Sequence, residues 1–181
     1  VWNIDSKEDI TSGVEGFLLN DISDSEILNN RIWNIGYTRR SHADHGIYVG
    51  GVDNCTFSGN VIVNSPGGGM QFYAGDSYSV HGRNCTIENN VFYRARMGLI
   101  LCGIENFNVV NNTFADSLED DLYLDWTVKN NRFANNLFSN SLTSETTGLG
   151  KSPCIIARHN GAGDNAVTGN VFTNSLYDYQ G

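Results

Sequence analysis

The sequence predicts an all-β fold, a right-handed parallel β-helix in which one chain winds as a solenoid of about six coils. Two recurring patterns and a turn-rich composition carry this prediction. The solenoid is expected to fill residues 1–181 as a single domain. Because the chain begins without Met or a signal-peptide pattern, we also expect it to be a piece of a longer protein.

The first pattern reads apolar, any residue, Asn or Gly, Asn, any residue, apolar. Its fixed asparagine recurs with gaps of 30, 30, 22, 24 and 34 residues, at Asn30, Asn60, Asn90, Asn112, Asn136 and Asn170. Asparagine tolerates tight turns, and identical amide side chains one coil apart can hydrogen-bond along a stack. The pattern therefore predicts an asparagine ladder at a bend between two strands.

The second pattern alternates with period two behind a small residue, which is typical of a strand with alternate side chains inward. It occurs at Gly16–Leu19, Gly46–Val49, Gly69–Phe72, Gly98–Leu101, Asp121–Leu124 and Pro153–Ile156. Together the patterns predict two strands per coil, paired in parallel with the neighbouring coils. The outward residues of this strand are then Leu18, Tyr48, Gln71, Ile100, Tyr123 and Ile155.

Composition narrows the class of protein. The chain has 20 Gly and 2 Pro, and 40% of its residues are hydrophobic, which favours a folded, frequently turning chain over disorder. A net charge of −9 argues against binding to nucleic acid, which needs a basic surface. No apolar run approaches the ~18 residues of a membrane span.

Two cysteines fall inside the repeat. Cys55 and Cys85 each precede an inward apolar residue by two positions, so both are expected inward on adjacent coils. We interpret them as a pair of small buried thiols, with a disulfide as the alternative. No C-x-x-C pair occurs, which argues against a zinc site or a redox motif.

With its Asn-Asn-Val-Phe type segments and its His45–Val49 strand, the chain resembles the NosD-like and pectate-lyase-like right-handed parallel β-helix repeat proteins over residues 14–175. This resemblance implies the fold. Such proteins include polysaccharide lyases, glycosidases, epimerases, viral tail parts and plain scaffolds, so fold and chemistry are separate questions. The sharper signatures of pectate lyases, polygalacturonases and alginate epimerases do not occur in the sequence.

Insertions between coils indicate where a ligand would bind, since solenoids place function in such loops. Two long connections leave the same predicted corner, at Gly36–Asp44 and Thr143–Lys151, and a third leaves the opposite end of the strand at Ala74–Gly82. They would wall a groove about three coils, or on the order of 15–20 Å, wide.

The outward side chains of this groove suit a polysaccharide. Aromatic faces stack on sugar rings and planar polar groups fix hydroxyls, although Tyr and Gln are also common on solvated sheet faces. The predicted substrate-binding residues are Gln71, Tyr73, Arg96, Tyr123 and Asp120.

Four residues are candidates for catalysis: His45, Tyr48, Arg94 and Asp121. His42 and His45 bracket Asp44, and one of them could act as a general base with Asp44 or Asp76 orienting it. In a lyase reaction the base could be Tyr48, His45 or Lys129. The plainer interpretation of His45 is a turn residue before Gly46.

Arg94 and Arg96 could neutralise a uronate carboxylate in a lyase reaction. The plainer interpretation is an ion pair with Glu119 or Asp120 across adjacent coils. The acidic run Glu119–Asp121 with Asp125 could bind Ca²⁺ or supply a glycosidase carboxylate pair, and it also fits an ordinary charged surface.

Two functional hypotheses follow. The first is a carbohydrate-active protein, lyase-like or hydrolase-like, that acts on a polysaccharide outside the cell or at its surface. The second is a non-catalytic structural or adhesive module, such as a surface protein or a tail-spike segment, in which open solenoid ends would favour oligomers.

Overall fold

The computed structural model describes residues 2–4, 13–36, 43–75, 81–140, 153–157, 162–174 and 176–180. Regular structure in these ranges is entirely β-strand, and so they contain no helix long and apolar enough to cross a membrane. In chain order the strands are β1 (Trp2–Ile4), β2 (Glu15–Ser23), β3 (Glu26–Leu28), β4 (Arg31–Ile35), β5 (His45–Asp53), β6 (Thr56–Ser58), β7 (Val61–Val63), β8 (Gly68–Tyr73), β9 (Gly82–Arg83), β10 (Thr86–Glu88), β11 (Val91–Tyr93), β12 (Met97–Cys102), β13 (Ile104–Glu105), β14 (Asn108–Val110), β15 (Thr113–Ala115), β16 (Leu122–Asp125), β17 (Val128–Lys129), β18 (Arg132–Ala134), β19 (Leu137–Ser139), β20 (Pro153–Ala157), β21 (Ala162–Gly163), β22 (Ala166–Thr168), β23 (Val171–Thr173) and β24 (Leu176–Gln180).

The strands form three sheets, and every pairing is parallel. Sheet 1 has the order β1-β4-β7-β11-β15-β19-β23, and sheet 2 has the order β3-β6-β10-β14-β18-β22. Sheet 3 joins β21-β17-β13-β9-β5-β8-β12-β16-β20-β24, with β2 paired to β5. Each step within a sheet moves one coil along the solenoid, which confirms the predicted right-handed parallel β-helix.

Sheet 3 has two arms, because β5 is long enough to pair with two later strands. Its first half pairs with β8, while its last residue, Asp53, pairs with Arg83 of β9. The first arm runs from β2 through β5, β8, β12, β16 and β20 to β24, and the second arm runs from the end of β5 through β9, β13 and β17 to β21. One later coil therefore contains four strand segments, β12 to β15, and the prediction of two strands per coil is wrong. The sequence hid the extra corners because each is made by one residue rather than by a loop.

Single residues with a left-handed backbone make these corners. The corner between sheets 2 and 1 is Asn29, Gly59, Asn89, Asn111, Asn135 and Gly169, with φ between 54° and 65°. This explains the Asn-or-Gly position of the first pattern, since these residues adopt positive φ most easily. Two further columns of residues with positive φ make two other corners. They are Asp24, Asn54, Asn84, Asn106, Asn130 and Asp164, and Asn34, Asn64, Arg94, Asp116, Asn140 and Asn174.

The predicted asparagine ladder is confirmed from Asn30 to Asn170. Within it, the Asn60 Nδ2 donates to Asn90 Oδ1 at 3.0 Å and to the Ile27 carbonyl at 2.8 Å. The Asn60 backbone N–H also donates to Asn90 Oδ1 at 2.9 Å. Each buried amide thus joins three successive coils. A shorter ladder that the sequence analysis missed links Asn131 to Asn165 at 2.9 Å.

Beside the ladder, identical side chains of successive coils stack on one another in the core. Phe92, Phe114, Phe138 and Phe172 lie in register in sheet 1, with ring centroids 4.9 Å apart and planes within 13° of parallel. The spacing of the rings equals the spacing of parallel strands, so one rotamer repeats from coil to coil.

The second pattern begins with a small residue because the backbone of the next coil lies too close to leave room for a side chain. A Cβ on Gly98 would lie 2.5 Å from Phe114 Cδ1 and 2.6 Å from the Asp121 carbonyl oxygen of the next coil. Gly16, Gly46 and Gly69 face equivalent contacts. The strand therefore requires glycine at this position, whatever its φ.

One expected register is wrong by a single residue. Ile155 was predicted outward, but it pairs with inward Leu122 and is 1% exposed, while Ile156 pairs with outward Tyr123. A slip of one position exchanges the two faces of a strand. The sequence pattern aligns Pro153 with Asp121, whereas the pairing of β16 with β20 places Cys154 beside that aspartate.

Cys55 and Cys85 are buried on adjacent coils, as predicted, and both are free thiols. Burial raises the pKa of the Cys55 thiol above its ordinary value and raises the pKa of the Cys85 thiol to about 12. The alternative of a disulfide between them is therefore not the state of this structure.

Replacing one ladder asparagine tests the ladder. Asn90→Ala removes both bonds that Nδ2 makes, to Asn112 Oδ1 and the Phe57 carbonyl, and the acceptor of two bonds from Asn60. Several buried polar groups lose their partners, so we expect a loss of about 3–5 kcal/mol in the free energy of unfolding. Urea denaturation measures it.

The matched control is Asn108→Ala, which removes one exposed contact, with Arg132 Nη1 at 3.1 Å. Its stability should stay within about 0.5 kcal/mol of the wild type. Equal losses in the two variants would contradict the ladder's role.

The buried thiols predict a pH dependence. Because the pKa of Cys85 is raised in the folded state, the folded thiol stays neutral while the unfolded thiol ionises above its ordinary value of 9.0. Stability from this residue is present below pH 9 and is lost as the pH rises toward 12. We expect urea midpoints to fall less steeply over this window in Cys85→Ala, and native Cys85 to resist a thiol reagent at pH 8. Rapid labelling of the folded protein at Cys85 would refute this.

Candidate functional site

The outer face of the first arm of sheet 3 holds most of the predicted site residues. Its central row runs through Leu18, Tyr48, Gln71, Ile100 and Tyr123, one residue from each of five coils. A parallel edge row, two residues further along each strand, runs through Asn20, Gly50, Tyr73, Cys102 and Asp125. Side chains between the rows point into the core, which confirms the predicted alternation for these coils.

Exposure varies along the central row. Leu18 is 58% exposed, and Tyr48, Gln71 and Tyr123 are half-buried, whereas Ile100 is 6% exposed. Aromatic and amide groups are thus reachable on both sides of a buried apolar centre. The row is long in one direction and one residue wide, a shape suited to an extended ligand.

An aromatic pair stands at the edge-row end of this face. The rings of Tyr73 and Trp126 meet at a centroid distance of 4.8 Å, with 62° between their planes, although their strands are two coils apart. They close over the end of β12, where a Cβ on Gly103 would lie 3.8 Å from Trp126 Cε3. Trp126 remains 43% exposed.

Trp126 has an unusual backbone. Its φ is +59°, at a corner where Asp21, Gly51 and Gly103 carry φ of +50°, +75° and +68° in other coils. A bulky residue at positive φ is an outlier that persists only where the surroundings impose it, and such strain clusters at functional sites. The exposed indole is therefore held at an energetic cost.

Tyr123 and Asp125 support this aromatic pair. The Tyr123 hydroxyl donates to Asp125 Oδ2 at 3.2 Å, and the Trp126 backbone N–H donates to Asp125 Oδ1 at 2.8 Å. One carboxylate therefore orients both the tyrosine and the tryptophan backbone. Beneath them, burial raises the pKa of the Cys102 thiol to about 12, with the Asp125 charge adding to the effect.

His45 and Tyr48 lie together at the other end of the face. Their ring centroids are 5.4 Å apart, and His45 is 3% exposed. Asp44, the predicted orienting residue, accepts the Val14 backbone N–H at its Oδ1 at 3.0 Å. Glu15, which the sequence pattern did not indicate, lies beside His45 in the register of β2 with β5. Burial, and then the charge of Asp44, raise the pKa of the Glu15 carboxyl.

The two arginines are separated by the corner. Arg94 is exposed, with φ of +54°, in a column otherwise occupied by Asn and Asp. Arg96 is 7% exposed and forms the expected ion pair with Glu119, Nη2 to Oε1 at 2.7 Å. Its Nη1 is buried and makes no hydrogen bond within the described residues. The structure therefore assigns Arg96 a structural partner and leaves Arg94 facing solvent.

One extra residue explains the acidic run. Leu118 bonds to Ala95 as if in register with Arg96, yet Gly98 bonds to the Asp120 carbonyl, so the later coil is longer by one residue. Asp120 and Asp121 are buried in this bulge, at 4% and 0% exposure. Across the described part of the chain, no three His, Cys, Asp or Glu side chains are grouped to hold a metal ion, and the Ca²⁺ hypothesis finds no ligand set there.

Other predicted features lie away from this face. Lys129, a candidate base, sits on the second arm and pairs with Glu105 at 3.3 Å, next to the Arg83–Asp53 pair at 2.8 Å. The long connections fall largely on residues 37–42, 76–80 and 141–152, which lie outside the described residues. His42 and Asp76 are among them.

Trp126 is the main residue of the face that the sequence analysis missed. Aligning β12 with β16 would have placed it at the corner glycine, Gly103, of the preceding coil. A tryptophan where sister coils carry glycine was the available signal. The alternating pattern of the strands does not extend to the corners, so it gives no information about this position.

The chain matches the family described as the right handed beta helix region over residues 15–177. The match covers most of the chain, and the described residues form three parallel sheets with no helix, so the protein belongs to this family. No match was found among the curated proteins or among the solved structures.

Breaking the buried ion pair tests the corner. Glu119→Gln leaves the Arg96 guanidinium buried without its counter-charge, and we expect a loss of about 3 kcal/mol in the free energy of unfolding. Arg96→Met combined with Glu119→Gln should recover most of it, because the unpaired charge is gone. Thermal and urea denaturation of both variants form the measurement. A double variant with a lower free energy of unfolding than Glu119→Gln alone would contradict this account.

Proposed function

We propose that this protein binds an extended polysaccharide along the outer face of the first arm of sheet 3. The exposed Trp126, held at positive φ and paired with Tyr73, is the observation that carries the proposal. A ring kept at the surface despite backbone strain is better explained by a ligand than by the core. Sugar rings are suitable ligands, since aromatic faces pack against their C–H surfaces.

The shape of the face supports a polymer rather than a monosaccharide. Five coils at about 4.8 Å spacing give a row roughly 19 Å long between its first and last residues. Gln71 and Tyr48 supply amide and ring surface near one end, and Tyr123 with Asp125 supplies a hydroxyl and a carboxylate near the other. Hydroxyls of an extended glycan can meet polar groups at both ends while its rings cover Ile100.

The contacts favour binding over bond cleavage. A catalytic group must touch its substrate, yet His45 and Asp121 are 3% and 0% exposed, which leaves only the half-buried Tyr48 and the exposed Arg94 of the four candidates within reach. The Arg96 charge is already offset by Glu119 at 2.7 Å. A polysaccharide-binding role needs only the exposed rings and amides. Such a ligand would place the protein outside the cell or at its surface.

The experiment is a panel of soluble polysaccharides tested by calorimetry against the wild type and Trp126→Gly. Glycine occupies the same corner in other coils, so this change removes the ring and relieves the backbone. We expect affinity to fall at least ten-fold, because stacking is lost, while the urea midpoint stays equal or rises. Absorbance at 235 nm in the same samples detects any lyase product.

Leu28→Ser is the matched control, because it removes an exposed apolar side chain from sheet 2 in the row that already holds Ser58, and it should leave the affinity unchanged. Equal affinity of the wild type and Trp126→Gly would show that the aromatic pair does not contact the ligand. A panel with neither binding nor product would favour the structural or adhesive module. Absorbance that rises with the wild type would add lyase activity to the binding role.

A further inference from the structure

Sheet 1 has an outer face that the proposed polysaccharide site does not use. In β7, β11, β15, β19 and β23, which are three residues long, the middle residue points into the core, and Ile32 does the same between Arg31 and Trp33 of β4. The remaining positions form two outward rows in register. One row is Arg31, Val61, Val91, Thr113, Leu137 and Val171, and the other is Trp33, Val63, Tyr93, Ala115, Ser139 and Thr173. We call these two rows the flat strip.

The flat strip is mostly apolar: eight of its twelve residues are aliphatic or aromatic, and one is charged. Trp33, Tyr93, Leu137 and Val171 are 40%, 38%, 37% and 54% exposed. None of its twelve residues is acidic, although the chain carries 20 Asp and Glu and a net charge of −9. Arg31, at one end, is its single charge. A run of exposed apolar side chains in register along an acidic chain is a candidate interaction surface.

The area of the strip argues against a second copy of the chain as the occupant. Six coils of three-residue strands project on the order of 300 Å², from about 4.8 Å between coils and about 3.3 Å per residue. A stable protein interface buries about 800 Å² on each partner. The occupant must therefore gain its contacts from a long, narrow surface.

Hydrogen bonding argues against an extended peptide. The backbone groups of neighbouring sheet 1 strands bond to one another along the ladder, so the face presents side chains rather than free N–H and C=O groups. An extended peptide binds a sheet through its edge, where such groups are free. On this face its own amides would lose water without gaining partners.

A flat, neutral glycan meets these conditions. A pyranose with equatorial linkages exposes C–H bonds on its two faces and hydroxyls around its rim. It can cover Val61, Val91 and the rings of Trp33 and Tyr93 while its hydroxyls stay in water. These two rings lie two coils apart, about 9.6 Å, which is close to the length of one disaccharide.

We propose that the flat strip binds the apolar face of a neutral, equatorially β-linked glycan, in the form of packed chains such as cellulose or chitin. The strip is separate from the aromatic pair on sheet 3, so the inference holds or fails independently of the proposed soluble-polysaccharide site. A chain with both sites would hold a solid glycan surface on one face and a soluble strand on another.

The experiment is depletion of the protein from solution by microcrystalline cellulose and by chitin. The test variant is Trp33→Thr with Tyr93→Thr, since threonine already occupies the same row at Thr173. We expect the wild type to bind one of the two solids and the double variant to lose at least ten-fold in partition coefficient. Leu28→Ser, an exposed change on sheet 2 in the row that already holds Ser58, lies outside both proposed sites and should bind the solid as the wild type does. Retention that is lost in Trp126→Gly but kept in the double variant would assign the binding to sheet 3 and overturn the proposal.

A second variant, Ala115→Lys, places a charge in the middle of the strip without removing a ring, and it should reduce retention by a similar factor. Urea midpoints verify that both variants fold. Retention of wild type on neither solid, or retention unchanged in both variants, would overturn the proposal. Light scattering that shows a dimer dissociated by Ala115→Lys would also overturn it and assign the strip to a second copy.

Discussion

The buried asparagine ladder is the interaction on which the other features depend. Every coil must turn sharply between sheets 2 and 1, which leaves backbone groups inside the molecule with no strand to pair with. The ladder amides bond to these groups and to each other, as Asn90 does with Asn112 and the Phe57 carbonyl. Since buried polar groups are costly when unpaired, the column keeps successive coils in register.

Once the coils are in register, each outward position becomes a row along the solenoid. The row with Tyr48, Gln71 and Tyr123 and the row with Trp33 and Tyr93 exist because residues far apart in sequence occupy equivalent places in successive coils. A solenoid therefore builds long, narrow surfaces without any loop. Such surfaces match polymers better than compact ligands.

Departures from the repeat carry the chemical interest. Trp126 stands at a glycine corner, and the Asp120–Asp121 bulge adds one residue beside the buried Arg96–Glu119 pair. The tryptophan replaces Gly51 and Gly103 of other coils, and Asp121 stands where four other coils carry glycine. The bulge is compensated by buried contacts, whereas the tryptophan stays exposed, and this difference separates a structural irregularity from a candidate binding residue.

The sequence by itself determined the fold, the asparagine column, the inward cysteines and the outward row from Leu18 to Tyr123. These features are visible in the sequence because each coil repeats the same residue types at equivalent positions. It misplaced Ile155 and missed the corners made by single residues. Only the tertiary structure decided that Arg96 is neutralised, that Tyr73 and Trp126 meet, and that sheet 1 presents an uncharged strip. These depend on which side chains of different coils come into contact, and irregular spacing between coils hides that from the sequence.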